Sequence, residues 1–405
     1  LPRVAEVSLY RLRVRLGQAF RIAYASSSYA EVLVVAVRGG GVTGWGEAAP
    51  APRVTCENQG SVEAYVEAVA RRVLGEDPLR GLGVILRGLH EGGGCFSAAR
   101  AALESAVLDL AARLMDMPLS ELLGGRLHSC LETDYTIGLP PREAAGDIAA
   151  RRGEAWEVFS EAIEYVTGLR ARPPSGAPIP LPAVNGFKRL KVKVGLGDPR
   201  LDAALVEAVD EAARGRAAIR VDANQAWTLK QSIRVVKRLE RSLGDRLELV
   251  EQPLPAHLVR DAKALRGHIE TPLALDESAR TLHDVARIAA LRAADAVNIK
   301  VAKVGGPLQA AKAAAVLEAH GLDAMWGCMV ETMLGIAQAW HPAAASPATR
   351  YVDLDSALFL AENPTDSKLV YEGGDGVCLT ASPGSRGLGV TPRAERLEPL
   401  AVYRA

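Results

Sequence analysis

Apolar and polar residues alternate along Val4 to Leu16 and Glu31 to Val37 with the two-residue period of half-buried strands, and GGGVTGWGEAAP (Gly39 to Pro50) reads as a glycine-rich turn into a third strand. FSAARAALESAVLDLAARLMDM (Phe96 to Met117) then repeats its apolar positions at helical spacing and stops at Pro118. Strands followed by helices predict an α+β unit over residues 1–128. From Leu131 the rhythm changes. Eight short runs, LETDYTIGL, FKRLKVKVG, AAIRVDAN, LELVEQP, PLALDES, AVNIKVAKVGG, DAMWGCM and RYVDLDS, alternate with alanine-rich helical stretches. Such alternation implies right-handed βαβ units on a parallel sheet, and eight strands are the number that closes a (β/α) barrel, here over residues 129–359.

Two segments break the rhythm. Residues 140–186 carry a helical pattern from Arg142 to Leu169 and then the proline-rich ARPPSGAPIPLPAVNG. Entering the second strand at its N-terminal end, this loop is expected on the barrel face opposite the active site, serving stability or subunit contact in a homo-oligomer. The final segment, about 360–405, lacks the βα pattern and is expected to complete the N-terminal unit.

The polar residues at the strand ends carry the chemistry. In a parallel barrel the reactive groups project from the C-terminal ends of the strands, and there the chain places Lys193, Asp222, Glu251, Asp276 and Lys300, spaced 29, 29, 25 and 24 residues apart. One ionisable group thus stands at one height on five consecutive strands, two amines flanking three carboxylates. Residues i and i+2 share a strand face, so Lys191 joins Lys193, Asn224 joins Asp222, and Asp353 pairs with Asp355. Five charges inside a barrel are prohibitively costly unless paired or bound to a metal. Three carboxylates without histidine or cysteine suit a hard cation, Mg²⁺ or Mn²⁺. Two lysines on opposite sides of it could act as bases on opposite faces of one carbon.

Composition narrows the partners. A formal net charge of +0 offers no footprint for nucleic acid or an anionic membrane, no stretch approaches 18 uncharged apolar residues, and the first residues read as a strand rather than a signal peptide; a soluble cytoplasmic protein with a small-molecule substrate is expected. The five cysteines, Cys56, Cys95, Cys130, Cys328 and Cys378, are odd in number and widely spaced, which predicts buried free thiols rather than a disulfide framework or a structural zinc site. Only 10 of the 48 basic residues are lysine, and none precedes Lys188. Three then fall in KRLKVKVG (Lys188 to Gly195), where a group able to lose its proton is worth more than arginine.

KVKVG, VDANQAW, VEQP, LDES and NIKVAKVGG, in this order, resemble the enolase superfamily and within it the muconate lactonizing subgroup, and GWGEAAP with MPLSELLGG resembles its capping domain. The resemblance implies a modified TIM barrel, (β/α)7β, with an N-terminal α+β capping domain. It further implies Mg²⁺ on Asp222, Glu251 and Asp276, supported by Asn224 and Glu277, with Lys193 and Lys300 as the acid/base pair and Lys191 facing the substrate carboxylate. VDLDSALFLAENP resembles the D-x-D motif of dipeptide epimerases, in which Asp353 and Asp355 would hold a free α-ammonium, and Thr136 and Cys328 resemble the same substrate shell. N-acylamino acid racemase, o-succinylbenzoate synthase and muconate cycloisomerase are the alternatives on this scaffold, and a barrel that binds without turnover is the alternative outside catalysis. Alanyl-glutamate epimerases commonly carry an arginine in the capping loop; FRIAYASSSYAE offers only Arg21, so a neutral or apolar second residue is expected.

Overall fold

The first hairpin outruns its alternating pattern. Val4–Ile22 and Ala25–Gly39 pair antiparallel along almost their full length in the computed structural model of the chain, which describes residues 2–91 and 95–405. Val42–Ala48 pairs with the second strand and Glu398–Arg404 with the first, giving a four-stranded antiparallel sheet closed at one edge by the C-terminus. The helix Ser97–Leu114 packs on this sheet and is buried from Ser97 to Ala112. Gly44 and Gly46 permit the contact, since a Cβ on either would lie about 2 Å from the carbonyl oxygen of Ala106 or Ala102. The glycines of GWGE are therefore packing residues.

Eight parallel strands follow: Tyr135–Ile137, Arg189–Lys193, Ala218–Asp222, Leu247–Glu251, Leu273–Leu275, Ala296–Ile299, Asp323–Gly327 and Thr349–Asp353. They are called strands one to eight below. Each is hydrogen-bonded to its neighbour in chain order. Strands one and eight approach where the Asp134 N–H donates to the Val352 carbonyl at 3.1 Å, so the sheet curls into a nearly closed barrel. Inward residues of strands four to eight, Leu249, Ala274, Ala296, Met325 and Tyr351, form an apolar cluster inside the barrel, separate from the main core. Among the described residues no helix is long and apolar enough to cross a membrane.

Two expectations need correction. Cys130 and Cys378 form a disulfide across 248 residues, and of the free thiols Cys56 and Cys95 are exposed rather than buried, with Cys328 half-buried. The hairpin Leu369–Gly374 with Gly376–Ala381 pairs with Cys130–Glu132 ahead of strand one, and this long-range register brings the two cysteines together. The 140–186 insertion, folded as helices Arg142–Ala150 and Gly153–Val166, does not remain at the barrel floor. Its proline-rich part reaches the cap, where Gln18 donates to the Ala177 carbonyl at 2.7 Å, and it receives the Tyr135 hydroxyl at Pro180. With no strand of its own, this segment satisfies its carbonyls on side chains along the barrel flank.

Candidate active site

The sheet register places the predicted groups at one level. Lys193 lies directly opposite Asp222, and Asp222 opposite Glu251, on strands two, three and four. Asp276 follows strand five, and Lys300 caps the helical turn Val301–Val304 after strand six. All five side chains are buried. Lys193 Nζ donates to Asp222 Oδ2 at 2.5 Å and Lys300 Nζ pairs with Asp276 Oδ2 at 2.8 Å, so the two amines rest on different carboxylates. Lys191 Nζ is bonded to Asp353 and stands 3.5 Å from Glu251 and 3.8 Å from Asp222.

Electrostatics separates the carboxylates. Burial and then the Asp222 charge push Glu251 up to about 7, while burial followed by Asp276 and Asp222 pushes Glu277 up to about 8. Asp276 is equally buried, but the ammonium groups of Lys300 and Lys303 overcome that burial and hold it far below the carboxylate range. Among the described residues Glu251 Oε2, Glu277 Oε2 and Asn224 Oδ1 are buried acceptors without a hydrogen bond, Glu251 Oε2 having only the Lys191 ammonium 3.5 Å away. Orphaned oxygens beside three carboxylates are what an oxygen-loving divalent cation requires, so the donor set fits Mg²⁺. A second acidic group, Asp134, Asp353 and Asp355, has oxygens within 4.8 Å of one another. It already holds the Lys191 ammonium, the Arg220 guanidinium and the Thr136 N–H; Asp134 is taken up by Arg220, and only Asp353 and Asp355 line the cavity, where they suit an organic cation better than a metal.

Asp353 and Asp355 follow each other at the end of strand eight. The Thr136 N–H donates to Asp355 at 2.6 Å and the Thr136 hydroxyl to Asp353 at 3.3 Å, while the Cys328 thiol donates to the Asp353 carbonyl at 3.2 Å. Burial and the neighbouring Asp353 raise Asp355 to about 7. The cavity these groups line, about 110 Å³, is roofed by Phe20, Ile22, Tyr24 and Val54 of the cap, with Met329, Val330 and Phe359 on its walls. A larger surface groove, about 1000 Å³, borders the C-terminal segment and contains none of the charged cluster, so chemistry rather than size selects the site.

Sequence reasoning missed several members. Lys303, one helical turn beyond Lys300 in NIKVAKVGG, is bonded to the Asp276 carboxylate and donates to the Asp276 carbonyl at 2.6 Å. Asn298, two residues before Lys300 on the same strand face, donates to Glu251 at 2.6 Å. Arg21 is the one arginine of FRIAYASSSYAE, but a second arginine comes from outside that segment: Arg53, from the loop after the third cap strand, lies 5.1 Å from the Tyr24 ring centroid. Arg21 itself alternates away from the cavity that Phe20 and Ile22 line.

Residues 5–124 match the mandelate racemase / muconate lactonizing enzyme N-terminal domain, and residues 182–396 match the enolase C-terminal domain-like model. The chain belongs to the enolase superfamily, in its mandelate racemase / muconate lactonizing enzyme branch. It is 34% identical over 384 residues to an L-Lys-D/L-Arg epimerase of Methylococcus capsulatus, covering 94% of this chain and 98% of that one. A substrate-liganded L-Ala-D/L-Glu epimerase of Bacillus subtilis superposes with a TM-score of 0.82 at 29% identity, covering 98% of this chain and 100% of the other. A dipeptide epimerase of Enterococcus faecalis, complexed with Mg and L-Leu-L-Tyr, gives 0.81 at 27% identity, covering 96% and 99%. With epimerases as its relatives in this branch of the enolase superfamily, the chain is an isomerase.

The cap and barrel of this superfamily member meet through buried acids. Glu47 of GWGE accepts the Thr332 N–H at 2.9 Å and the Thr332 hydroxyl, and Gln338 brackets its backbone. Glu331 lies alongside, a Cβ on Gly335 reaching both carboxylates at about 3 Å. Burial raises Glu47 to about 7, and burial followed by the Glu47 charge raises Glu331 to about 8. An acid whose folded pKa is raised contributes most below its unfolded value, near 4.5, and that contribution is lost as pH rises through 7 to 8. In saturating Mg²⁺ the wild-type Tm is therefore expected to fall between pH 6 and 9 more steeply than that of Glu331→Gln; parallel curves in calorimetry would refute the assignment.

Proposed function

We propose that the protein is a Mg²⁺-dependent dipeptide epimerase that inverts the α-carbon of the C-terminal residue. Asp355 carries the reading. It is buried at the substrate cavity, accepts the Thr136 N–H, and among the described residues makes no ion pair of its own. A free α-ammonium supplies that missing charge, whereas an N-acyl or muconate substrate would leave the carboxylate unmatched in a buried site. The dipeptide complexes of the relatives support the same substrate class.

The chemistry follows from the placement of the lysines. Removing a proton α to a carboxylate leaves an enediolate with two negative oxygens, and the Lys191 ammonium is positioned to face them. Lys193 takes the proton on one face and Lys300 returns one on the other. Lys300, resting on Asp276 at 2.8 Å and separate from the Lys193–Asp222 pair, is the amine for that second face. A Mg²⁺ ion held by Asp222, Glu251 and Asp276, with Asn224 and Glu277 behind them, would add positive charge beside the substrate carboxylate. The apolar lining from Phe20, Ile22, Val54, Met329, Val330 and Phe359 favours a neutral or apolar second residue, with Arg53 on the far side of Tyr24.

Incubation of an L,L-dipeptide library with enzyme and Mg²⁺ in deuterated water, read by proton NMR, tests the function. Exchange with inversion at the second α-carbon is expected, most readily for apolar side chains. Absence of exchange on every dipeptide sinks the reading, and a clear preference for Ala-Glu overturns the side-chain part. Asp355→Asn is expected to lower kcat/KM by about 100-fold, chiefly through KM, since a buried charge partner is lost. An unchanged KM would remove Asp355 from the ammonium subsite.

A further inference from the structure

Beneath the catalytic level the barrel floor is divided. One half is the apolar cluster of strands four to eight, and the other holds Arg220, 1% exposed and directly opposite Lys191 in the register of strands two and three. Arg220 Nη1 donates to Asp134 Oδ2 at 2.8 Å and to the Val352 carbonyl at 2.9 Å, and its Nε donates to Glu248 at 2.6 Å. Glu248 continues to Arg189 at 3.1 Å and Arg189 to Glu132 at 2.5 Å, so charges alternate from the barrel rim inward. The Tyr351 ring, 5.3 Å from the Arg220 guanidinium carbon, marks the border with the apolar half.

Asp134 makes this arrangement consequential. It is fully buried, its Oδ1 accepts no hydrogen bond among the described residues, and its oxygens lie near those of Asp353 and Asp355 without lining the substrate cavity. Lys191 Nζ is bonded to Asp353, which lines the cavity, and stands 3.5 Å from Glu251 and 3.8 Å from Asp222; Asp134, with an oxygen within 4.8 Å of an Asp353 oxygen, is the next carboxylate to which it could turn. A buried carboxylate without a cation is costly, and either takes up a proton or draws a neighbouring ammonium to it. We propose that Arg220 is a positioning residue: by neutralising Asp134 from below, it leaves the Lys191 ammonium directed to Asp353 and the substrate carboxylate. This rests on the role proposed above for Lys191. A filler of the barrel floor would need no charge, because apolar residues replace buried ion pairs at little cost when both partners go together.

The test compares Arg220→Met, Arg220→Lys and the double variant Arg220→Met/Asp134→Asn. In a crystal structure of Arg220→Met, Lys191 Nζ is expected to have left Asp353 for Asp134, and kcat/KM per folded enzyme to fall by roughly 30- to 100-fold. Removing the orphaned charge in the double variant, or restoring a cation in Arg220→Lys, is expected to return kcat/KM to within about threefold of wild type. Lys191 remaining on Asp353 in Arg220→Met, or a double variant as impaired as the single, overturns the inference. Should Arg220→Met fail to fold, Asp134→Asn alone decides: Lys191 stays on Asp353 and kcat/KM within about threefold, whereas a loss beyond about tenfold overturns the inference. A wild type inert to all dipeptides would sink the proposed function instead, and the position of Lys191 in the variants would still decide the role of Arg220.

Discussion

Lys300→Ala is expected to abolish epimerisation, with kcat lowered by about 10³-fold or more, while solvent exchange of the α-proton survives for one enantiomer of the dipeptide. Lys193 and Lys300 rise from strands two and six and rest on different carboxylates, Asp222 and Asp276. Inversion needs a proton removed from one face and another delivered to the opposite face, so losing one amine stops the net reaction and leaves reversible removal by the other. Asp276 keeps Lys303 as a counter-ion in the variant, so the site should stay folded. The complementary Lys193→Ala should exchange only the other enantiomer. Proton NMR of each enantiomer in deuterated water, with circular dichroism as the folding control, decides. Equal exchange of both enantiomers by either variant would exclude the two-sided transfer.

The strand-end cluster was legible because two periodicities coincide on it. A βα unit spaces the lysines and carboxylates by about 24 to 29 residues, and the two-residue pleat gathers Lys191 with Lys193 and Asp353 with Asp355. In the sheet register Lys193, Asp222 and Glu251 stand side by side. Features set by contacts between distant segments left no such trace. Cys130 and Cys378 meet only because a C-terminal hairpin adds to the short strand before the barrel, and Arg53 reaches Tyr24 from a separate loop. Arg220 sat in plain view in AIRVDAN, but one buried arginine in an apolar run acquires meaning only when Asp134 and Glu248 are found on either side of it.

Glu251→Gln is the sharpest probe of the metal set, because its effects on stability and activity should part company. Asp222, Glu251, Asp276 and Glu277 crowd a buried site, and both Glu251 and Glu277 are pushed up by burial and by one another's neighbours. Removing one charge relieves that repulsion, and the amide oxygen can still accept from Asn298. In a chelator, Glu251→Gln should therefore melt no lower than wild type. Adding Mg²⁺ reverses the order: a cation bound by the native state stabilises by RT ln(1 + [L]/Kd), about 2.7 kcal/mol at 100 times Kd, and a variant lacking one of three carboxylates forfeits most of that gain. Exchange activity should fall by about 10³-fold or more in the same variant, and chelation of the wild type should match it reversibly. Scanning calorimetry with and without Mg²⁺ reads the first effect and NMR the second. A variant that keeps both the Mg²⁺-dependent rise in Tm and its activity would take Glu251 out of the metal set, whatever the fate of the two lysines.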